Sequence, residues 1–143
     1  KEIISELADP KWGCVWTFGT MSAGYEFWTF TDGVYNVSGS RVSDKRPSSY
    51  PNMRIWWDGD LLSENLDNKK MTKWDYKNSV EKRLFVFSNI KQWWRNVPGF
   101  YGDILGDWRE EVVYPSEDGN ALHVFMTTYP TAKRIYTLPQ NPG

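Results

Sequence analysis

Short apolar runs, each closed by a turn signal, are the feature that most limits how this chain can fold. The runs are rich in β-branched and aromatic residues, which suit a pleated, half-buried surface. Turns such as Asp32-Gly33 and Ser38-Gly39-Ser40 place a glycine where a tight hairpin needs a positive φ. We therefore expect strands at Cys14–Phe18, Tyr25–Phe30, Val34–Val37, Met53–Trp57, Leu84–Phe87, Glu111–Tyr114, Ala121–Thr127 and Arg134–Leu138.

Helical patterning is weak throughout the 143 residues. The best stretch, Asp60–Asp67, spaces its leucines for a helix of about two turns. The hairpin turns predict antiparallel meanders of about four strands each. Residues 1–143 are therefore predicted to form a single all-β unit. Trp56 and Trp57 should point to opposite faces of one strand, because successive strand residues alternate.

Composition and charge exclude several classes of protein. The chain has 17 Lys and Arg against 18 Asp and Glu, so it lacks the basic footprint of a nucleic-acid-binding domain. No apolar run approaches the ~18 residues that cross a bilayer, and we expect no membrane partner. With one cysteine, Cys14, and one histidine, His123, the chain cannot build a disulfide framework or a multi-histidine metal centre. We expect Cys14 to be a buried thiol and His123 to be packed on its strand.

Two carboxylates, Asp58 and Asp60, follow the strand that contains Trp56 and Trp57. Gly59 between them allows a sharp bend, so both side chains can converge on one cation or one sugar. The alternative is a turn in which the two carboxylates cap backbone amides. On spacing alone, the turn is favoured.

A second acidic pattern places Asp103, Asp107 and Glu111 around Gly106. Calcium takes 6–8 oxygen ligands, and loops supply them from alternating side chains and from backbone carbonyls. The pattern therefore predicts calcium in this loop. The alternative, equally favoured by the spacing, is a structural turn in which Arg109 pairs with a nearby carboxylate.

An aromatic and basic stretch, Trp93-Trp94-Arg95, lies in a long connection between strands. Indole faces beside a guanidinium make a platform for a sugar ring. The alternative is aromatic packing beneath the loop. Aromatic residues are 17% of the chain, enough to serve both purposes.

Several longer strings resemble the rhamnogalacturonan lyases of polysaccharide lyase family 11. They follow one another in the family's order from about Gly24 to Leu138. The most specific are Trp57-Asp58-Gly59-Asp60-Leu61-Leu62 and Gly106-Asp107-Trp108-Arg109-Glu110-Glu111. The others are Tyr25–Trp28, Gly33–Asn36, Lys73–Tyr76, Thr127–Thr131 and Arg134–Leu138.

The resemblance implies that this chain is the C-terminal part of an eight-bladed β-propeller, with further blades upstream. It implies a secreted, extracellular enzyme that cleaves rhamnose–galacturonic acid bonds of rhamnogalacturonan I, a plant cell-wall polysaccharide, by calcium-assisted β-elimination. Arg95, which matches the Lys that ends an Asn-Gly-Thr-Lys loop of the family, is implied as the catalytic residue. Trp93, Trp94, Arg95, Asp58 and Asp60 are expected to bind substrate, and Asp103, Asp107 and Glu111 to hold calcium.

Two other functions remain open. The chain could be a non-catalytic carbohydrate-binding module, since Trp93 and Trp94 replace small residues of the family's loop, and the family's Gly-Arg-Gly is replaced by Gly13-Cys14-Val15. It could also be a structural fragment whose aromatic residues form the core. The chain by itself is expected to be inactive as a lyase, because the family's pocket draws on blades upstream.

Overall fold

The computed structural model describes residues 26–28, 33–36, 38–50, 52–92 and 96–135, and these residues form antiparallel β-sheets. The all-β prediction is confirmed, since no α-helix occurs among them. No helix in this part of the chain is long and apolar enough to cross a bilayer. The strands are β1 Glu26–Phe27, β2 Val34–Asn36, β3 Arg41–Ser43, β4 Met53–Ile55, β5 Glu64–Asp67, β6 Lys70–Asp75, β7 Val80–Val86, β8 Phe100–Gly102, β9 Glu111–Pro115 and β10 Leu122–Phe125.

Each sheet is a meander of strands that are consecutive in the chain. β1, β2 and β3 form the first sheet, β4 to β7 the second, and β8, β9 and β10 the third. Only the second sheet has the expected four strands in the described residues. The turn between β5 and β6 places Asn68 and Lys69 at positive φ, as the hairpin turns that match strand twist require.

The second sheet packs on both of its faces, and this arrangement forms the core. On one face, Ile55, Leu66 and Met71 are buried against Val112 and Tyr114 of the third sheet. On the other face, the apolar contacts run to the first sheet through Trp28, Val34 and Trp74. Consecutive sheets therefore stack face to face, as in sheet-on-sheet packing generally.

The stretch with the best helical spacing, Asp60–Asp67, forms no helix, because it contains strand β5. All four residues of β5 are buried, since sheets cover both of its faces. A strand buried on both sides loses the alternation by which a strand is recognised, so the leucine spacing was misleading. Strands β6 and β8 were also not predicted. The predicted strand Cys14–Phe18 lies outside the described residues. Of the predicted strand Arg134–Leu138, only Arg134 and Ile135 are described, and neither is in a strand.

The two neighbouring indoles lie just after the end of β4, not within a strand as predicted, and they differ in burial. Trp57 is buried in the core between the second and third sheets. Trp56 is half-buried, and its ring meets Trp108 edge-on at a centroid distance of 6.1 Å. The guanidinium of Arg54 lies 4.4 Å from the centre of the Trp56 ring, within the range of a cation–π contact.

A carboxylate on β7 fastens the loop that precedes β4. Glu81 accepts hydrogen bonds from the backbone N–H groups of Ser48 and Ser49, each at 3.1 Å, and from the Thr72 hydroxyl at 2.9 Å. Burial raises the pKa of the Glu81 carboxyl, but these hydrogen bonds outweigh burial and hold the pKa below its ordinary value. The ionised form therefore stabilises the folded state.

Glu81→Gln is expected to flatten the loss of stability at acidic pH. A depressed carboxyl pKa contributes stability above the unfolded value of 4.5, and that stability is lost as pH falls through the folded value. The thermal midpoint of the wild-type protein should therefore fall more steeply than that of Glu81→Gln below about pH 4.5. Glu117→Gln, at an exposed turn, is the matched control and should keep the wild-type slope. Equal slopes for Glu81→Gln and the wild type would contradict the assigned role.

Candidate functional site

The turn after β4 gathers three carboxylates. One oxygen each of Asp58, Asp60 and Glu64 lies within 4.8 Å of the others. Gly59 has φ 86°, and a Cβ added there would come within 2.8 Å of the Thr131 Cβ, so the turn requires glycine. Asp58 and Asp60 also accept backbone N–H groups within the turn, at 3.2 and 2.7 Å. The predicted convergence of Asp58 and Asp60 and the alternative of backbone capping are therefore both seen.

Lys73 of β6 places its ammonium among these carboxylates. Its Nζ lies 2.7 Å from an Asp60 oxygen and 2.9 Å from a Glu64 oxygen, and it also donates to Asp58. The strand register explains this placement, because Asn65 pairs with Thr72 and the next step along the two strands brings Glu64 beside Lys73. The cation that the three carboxylates hold is thus a side chain of the protein.

Burial and charge oppose one another in this cluster. Burial raises the pKa of Glu64 to about 8, and the ammonium of Lys73 acts in the opposite direction. Burial alone would lower the pKa of Lys73, but the surrounding carboxylates outweigh it and raise the pKa above its ordinary value. Lys73 therefore stays positively charged, and its charge offsets part of the effect that burial has on Glu64.

The acidic loop between β8 and β9 is organised differently. Asp103 accepts the backbone N–H groups of Asp107 and Trp108, at 3.0 and 3.1 Å. Glu111 accepts those of Ile104 and Leu105, at 2.8 and 3.1 Å. The carboxylate of Asp107 is paired with the Arg109 guanidinium, which holds the pKa of that carboxyl below its ordinary value.

These two loops, which carry the most specific strings of the sequence, lie against one another. The Trp56 N–H donates to a Glu110 carboxylate oxygen at 2.8 Å, and the Glu110 N–H donates to the Trp56 carbonyl at 2.8 Å. The Trp108 indole packs against Trp56 and donates its Nε1–H to the Lys133 carbonyl at 2.9 Å. The Thr131 hydroxyl donates to the Gly59 carbonyl at 2.6 Å. Many residues of these two strings therefore hold the two loops against each other.

The other predicted substrate residues come after β7 in the sequence. Trp93, Trp94 and Arg95 lie outside the described residues. Their chain neighbour Asn96 is described, and its amide donates to Asn68 at 2.6 Å. Asn68 follows the end of β5, whereas Asp58 and Asp60 precede its start. The structure therefore does not bring Asp58 and Asp60 together with Asn96.

A cavity of about 360 Å³ opens at the Asn68 end of the sheet. It is lined by Tyr50, Asp67, Asn68 and Asn96, which offer one aromatic ring and several polar groups. This is the kind of lining that fixes a sugar, with a flat apolar face and polar groups beside it. No motif in the sequence pointed to this cavity, since its residues come from separate strands and loops.

The sequence predicted the packing of His123 but not the role of Lys73. His123 is half-buried and lies 6.1 Å from the ring of Phe125, in agreement with the expected packed histidine. Lys73 was not singled out as a site residue, and neither was Glu64. The only signal in the sequence was a charged residue beside Trp74, in one of the strings that resemble the family. Cys14 lies outside the described residues.

Neither acidic cluster fits a calcium ion as it stands. At the Asp58 turn, the Lys73 ammonium holds the place that three converging carboxylates would give to a divalent cation. In the loop from Asp103 to Glu111, backbone N–H groups and Arg109 engage the carboxylates, as in the alternative of a structural turn. Only the Asp58 turn brings three such ligands together in the part of the chain that the structure describes. Calcium at Asp103, Asp107 and Glu111 stays a prediction.

Comparison with known proteins identifies the family. Residues 5–143 match the family model for the C-terminal domain of rhamnogalacturonan lyase family 11. The chain therefore belongs to rhamnogalacturonan lyase family 11, and the resemblance found in the sequence is confirmed.

Two proteins of Bacillus subtilis (strain 168) are similar to this chain. It is 43% identical over 121 residues to the rhamnogalacturonan endolyase YesW, a match covering 83% of this chain and 19% of YesW. It is 39% identical over 122 residues to the rhamnogalacturonan exolyase YesX, covering 77% of this chain and 19% of YesX. The chain thus spans about a fifth of the length of the curated relatives that it matches.

Solved structures agree with this assignment. The crystal structure of YesW matches with a TM-score of 0.79 and 40% identity, over 90% of this chain and 22% of that chain. The family 11 rhamnogalacturonan lyase of Bacillus licheniformis matches with a TM-score of 0.79 and 38% identity, over the same shares of the two chains. The described sheets therefore have the fold of a C-terminal portion of these lyases.

Proposed function

We propose that this chain is the C-terminal part of a secreted rhamnogalacturonan lyase that cleaves rhamnose–galacturonic acid bonds of rhamnogalacturonan I by β-elimination. The observation that supports this most is the family match over residues 5–143. Both an endolyase and an exolyase of rhamnogalacturonan are similar to this chain. Secretion follows from the substrate, because plant cell-wall polysaccharide lies outside cells.

The chemistry sets clear demands on the site. A base removes the C5 proton of the uronate, the C4–C5 double bond forms, and the C4–O bond to the leaving sugar breaks. Negative charge builds beside the uronate carboxylate, so a cation must neutralise it. We assign Arg95 to this role, with Trp93 and Trp94 as the adjacent ring platform. The cavity at Tyr50, Asn68 and Asn96 lies beside the chain neighbour of Arg95 and supports a sugar site at this end.

Asp58 and Asp60, also predicted to bind substrate, have a weaker case. Both are held by Lys73, and they precede the start of β5, whereas the cavity lies at the end of β5, at Asp67 and Asn68. We propose that their contribution to binding is indirect, through the shape of the turn. Calcium, when bound, would supply positive charge near the uronate carboxylate, and its requirement stays a prediction from the family.

We further propose that the three sheets are consecutive blades of an eight-bladed propeller whose other blades are supplied by sequence upstream. Consecutive sheets stack face to face, which supports this arrangement. The outer face of the third sheet also supports it. There Phe100 and Val124 flank Val113 in register, and Leu122 lies beside them, all exposed except the half-buried Val113. A structure of the whole protein tests the arrangement directly.

The lyase proposal is tested by following the near-ultraviolet absorbance of the unsaturated uronate. The whole protein with rhamnogalacturonan I should show steady absorbance growth, and chelation should reduce it. Arg95→Ala should lower the rate by roughly 10²–10³, because a preorganised charge partner of the transition state is lost. Lys91→Ala, which removes an exposed cation from the same connection, is the matched control and should keep the wild-type rate. Residues 1–143 alone should be inactive.

Other outcomes separate the alternatives. Binding of the polysaccharide without absorbance growth from the whole protein would favour a carbohydrate-binding module, which the cavity also supports. If the whole protein neither binds nor cleaves the polysaccharide, a structural fragment is favoured. Calcium-dependent absorbance growth by residues 1–143 alone, abolished by Arg95→Ala, would contradict the expected inactivity of the isolated chain.

A further inference from the structure

Lys73 completes the group of carboxylates at the Asp58 turn. We propose that its ammonium is the built-in cation of this site, holding Asp58, Asp60 and Glu64 in the arrangement that a divalent cation would otherwise impose. The wild-type turn then forms without added metal, and removal of the ammonium creates a calcium-responsive site.

The hydrogen-bonding capacity of the ammonium matches the site. A lysine ammonium has three N–H donors and no acceptor. Here it faces three carboxylates and donates once to each of them. The second Glu64 oxygen accepts the Trp57 N–H at 2.8 Å, which turns the first toward Lys73. All three donors therefore have partners within the protein.

Burial makes the charge balance of this site important. The side chains of Lys73 and Asp58 are 15% and 18% exposed, and that of Glu64 is fully buried. Buried carboxylates need a cation close by, because little water reaches them. Without Lys73, three carboxylate oxygens within 4.8 Å of one another would remain, and such oxygens are the ligands that calcium prefers.

The Asp58 turn also contacts a segment that is distant in the chain. The Gly59 carbonyl, between Asp58 and Asp60, accepts the Thr131 hydroxyl. The Asp58 turn therefore helps to hold the segment that follows β10. Loss of the ammonium should loosen this segment as well as the turn.

The experiment compares thermal unfolding and calcium titration of the whole purified protein, with chelator and with millimolar calcium chloride. Lys73→Met should lower the unfolding midpoint in chelator. Calcium should then raise it by about 5 °C or more beyond any wild-type response, with additional calcium bound in the titration. Lys82→Met removes a 61% exposed lysine that pairs with Asp75, and it should gain no calcium response. The readouts are stability and ion binding, so they do not depend on lyase activity.

A second variant tests the inference even if Lys73→Met does not fold. Asp60 is 51% exposed, so Asp60→Asn should fold, and it should keep whatever calcium response the wild type has. If a wild-type calcium response is lost in Asp60→Asn, the turn binds metal in the native protein and the proposal is overturned. A response lost in Asp103→Asn but kept in Asp60→Asn places calcium in the other loop and supports it. A folded Lys73→Met protein without a gained calcium response also overturns it.

Discussion

Phe87→Ala is expected to lower the free energy of unfolding by about 3–5 kcal/mol. The Phe87 side chain is 1% exposed and lies where the second and third sheets meet. Its ring centroid is 4.9 Å from that of Phe125, 5.2 Å from Tyr114 and 6.3 Å from Trp57. Truncation removes this burial and leaves a cavity that neighbours on two separate sheets cannot close. Urea unfolding should show a lower midpoint with an unchanged slope.

Phe85→Ala is the matched control for this prediction. Phe85 lies two residues earlier and also contacts Trp57 and Phe125, but it is 39% exposed. The same truncation there removes less buried surface, so its cost should be clearly smaller. Equal costs at the two positions would show that Phe87 does not join the two sheets.

Trp108→Ala is expected to cost about 3–5 kcal/mol as well. Trp108 is 2% exposed, packs edge-on against Trp56 and donates its indole N–H to the Lys133 carbonyl. The substitution therefore removes buried area and leaves a carbonyl without its donor. It also separates the loop after β8 from the turn after β4. Chemical unfolding measures the cost.

Trp108→Phe separates the two contributions at this position. It keeps most of the aromatic packing and loses the hydrogen bond, for which we expect a cost of about 1–2 kcal/mol. A cost equal to that of Trp108→Ala would mean that the hydrogen bond, and not the packing, joins the loops. Costs near zero for both variants would contradict a structural role for this string.

The all-β architecture could be predicted because most strands alternate and end at recognisable turns. The Ser38–Ser40 turn correctly marked the hairpin between β2 and β3. Strand β5 escaped prediction because Glu64–Asp67 is buried on both faces, which erases the alternation. Strand β8 escaped because Phe100–Gly102 is short and ends in a glycine.

The candidate site was also predictable from the sequence only in part. The sequence alone predicted a bend at Gly59 with Asp58 and Asp60 on either side of it, since this depends only on local residues, but it left open whether the carboxylates converge or cap backbone amides. It also determined the family, because the specific strings follow one another in order. Only the tertiary structure decided which cation meets the carboxylates, because Lys73 reaches Glu64 through the register of β5 and β6. Register and stacking join residues distant in the chain, and no local pattern specifies such contacts.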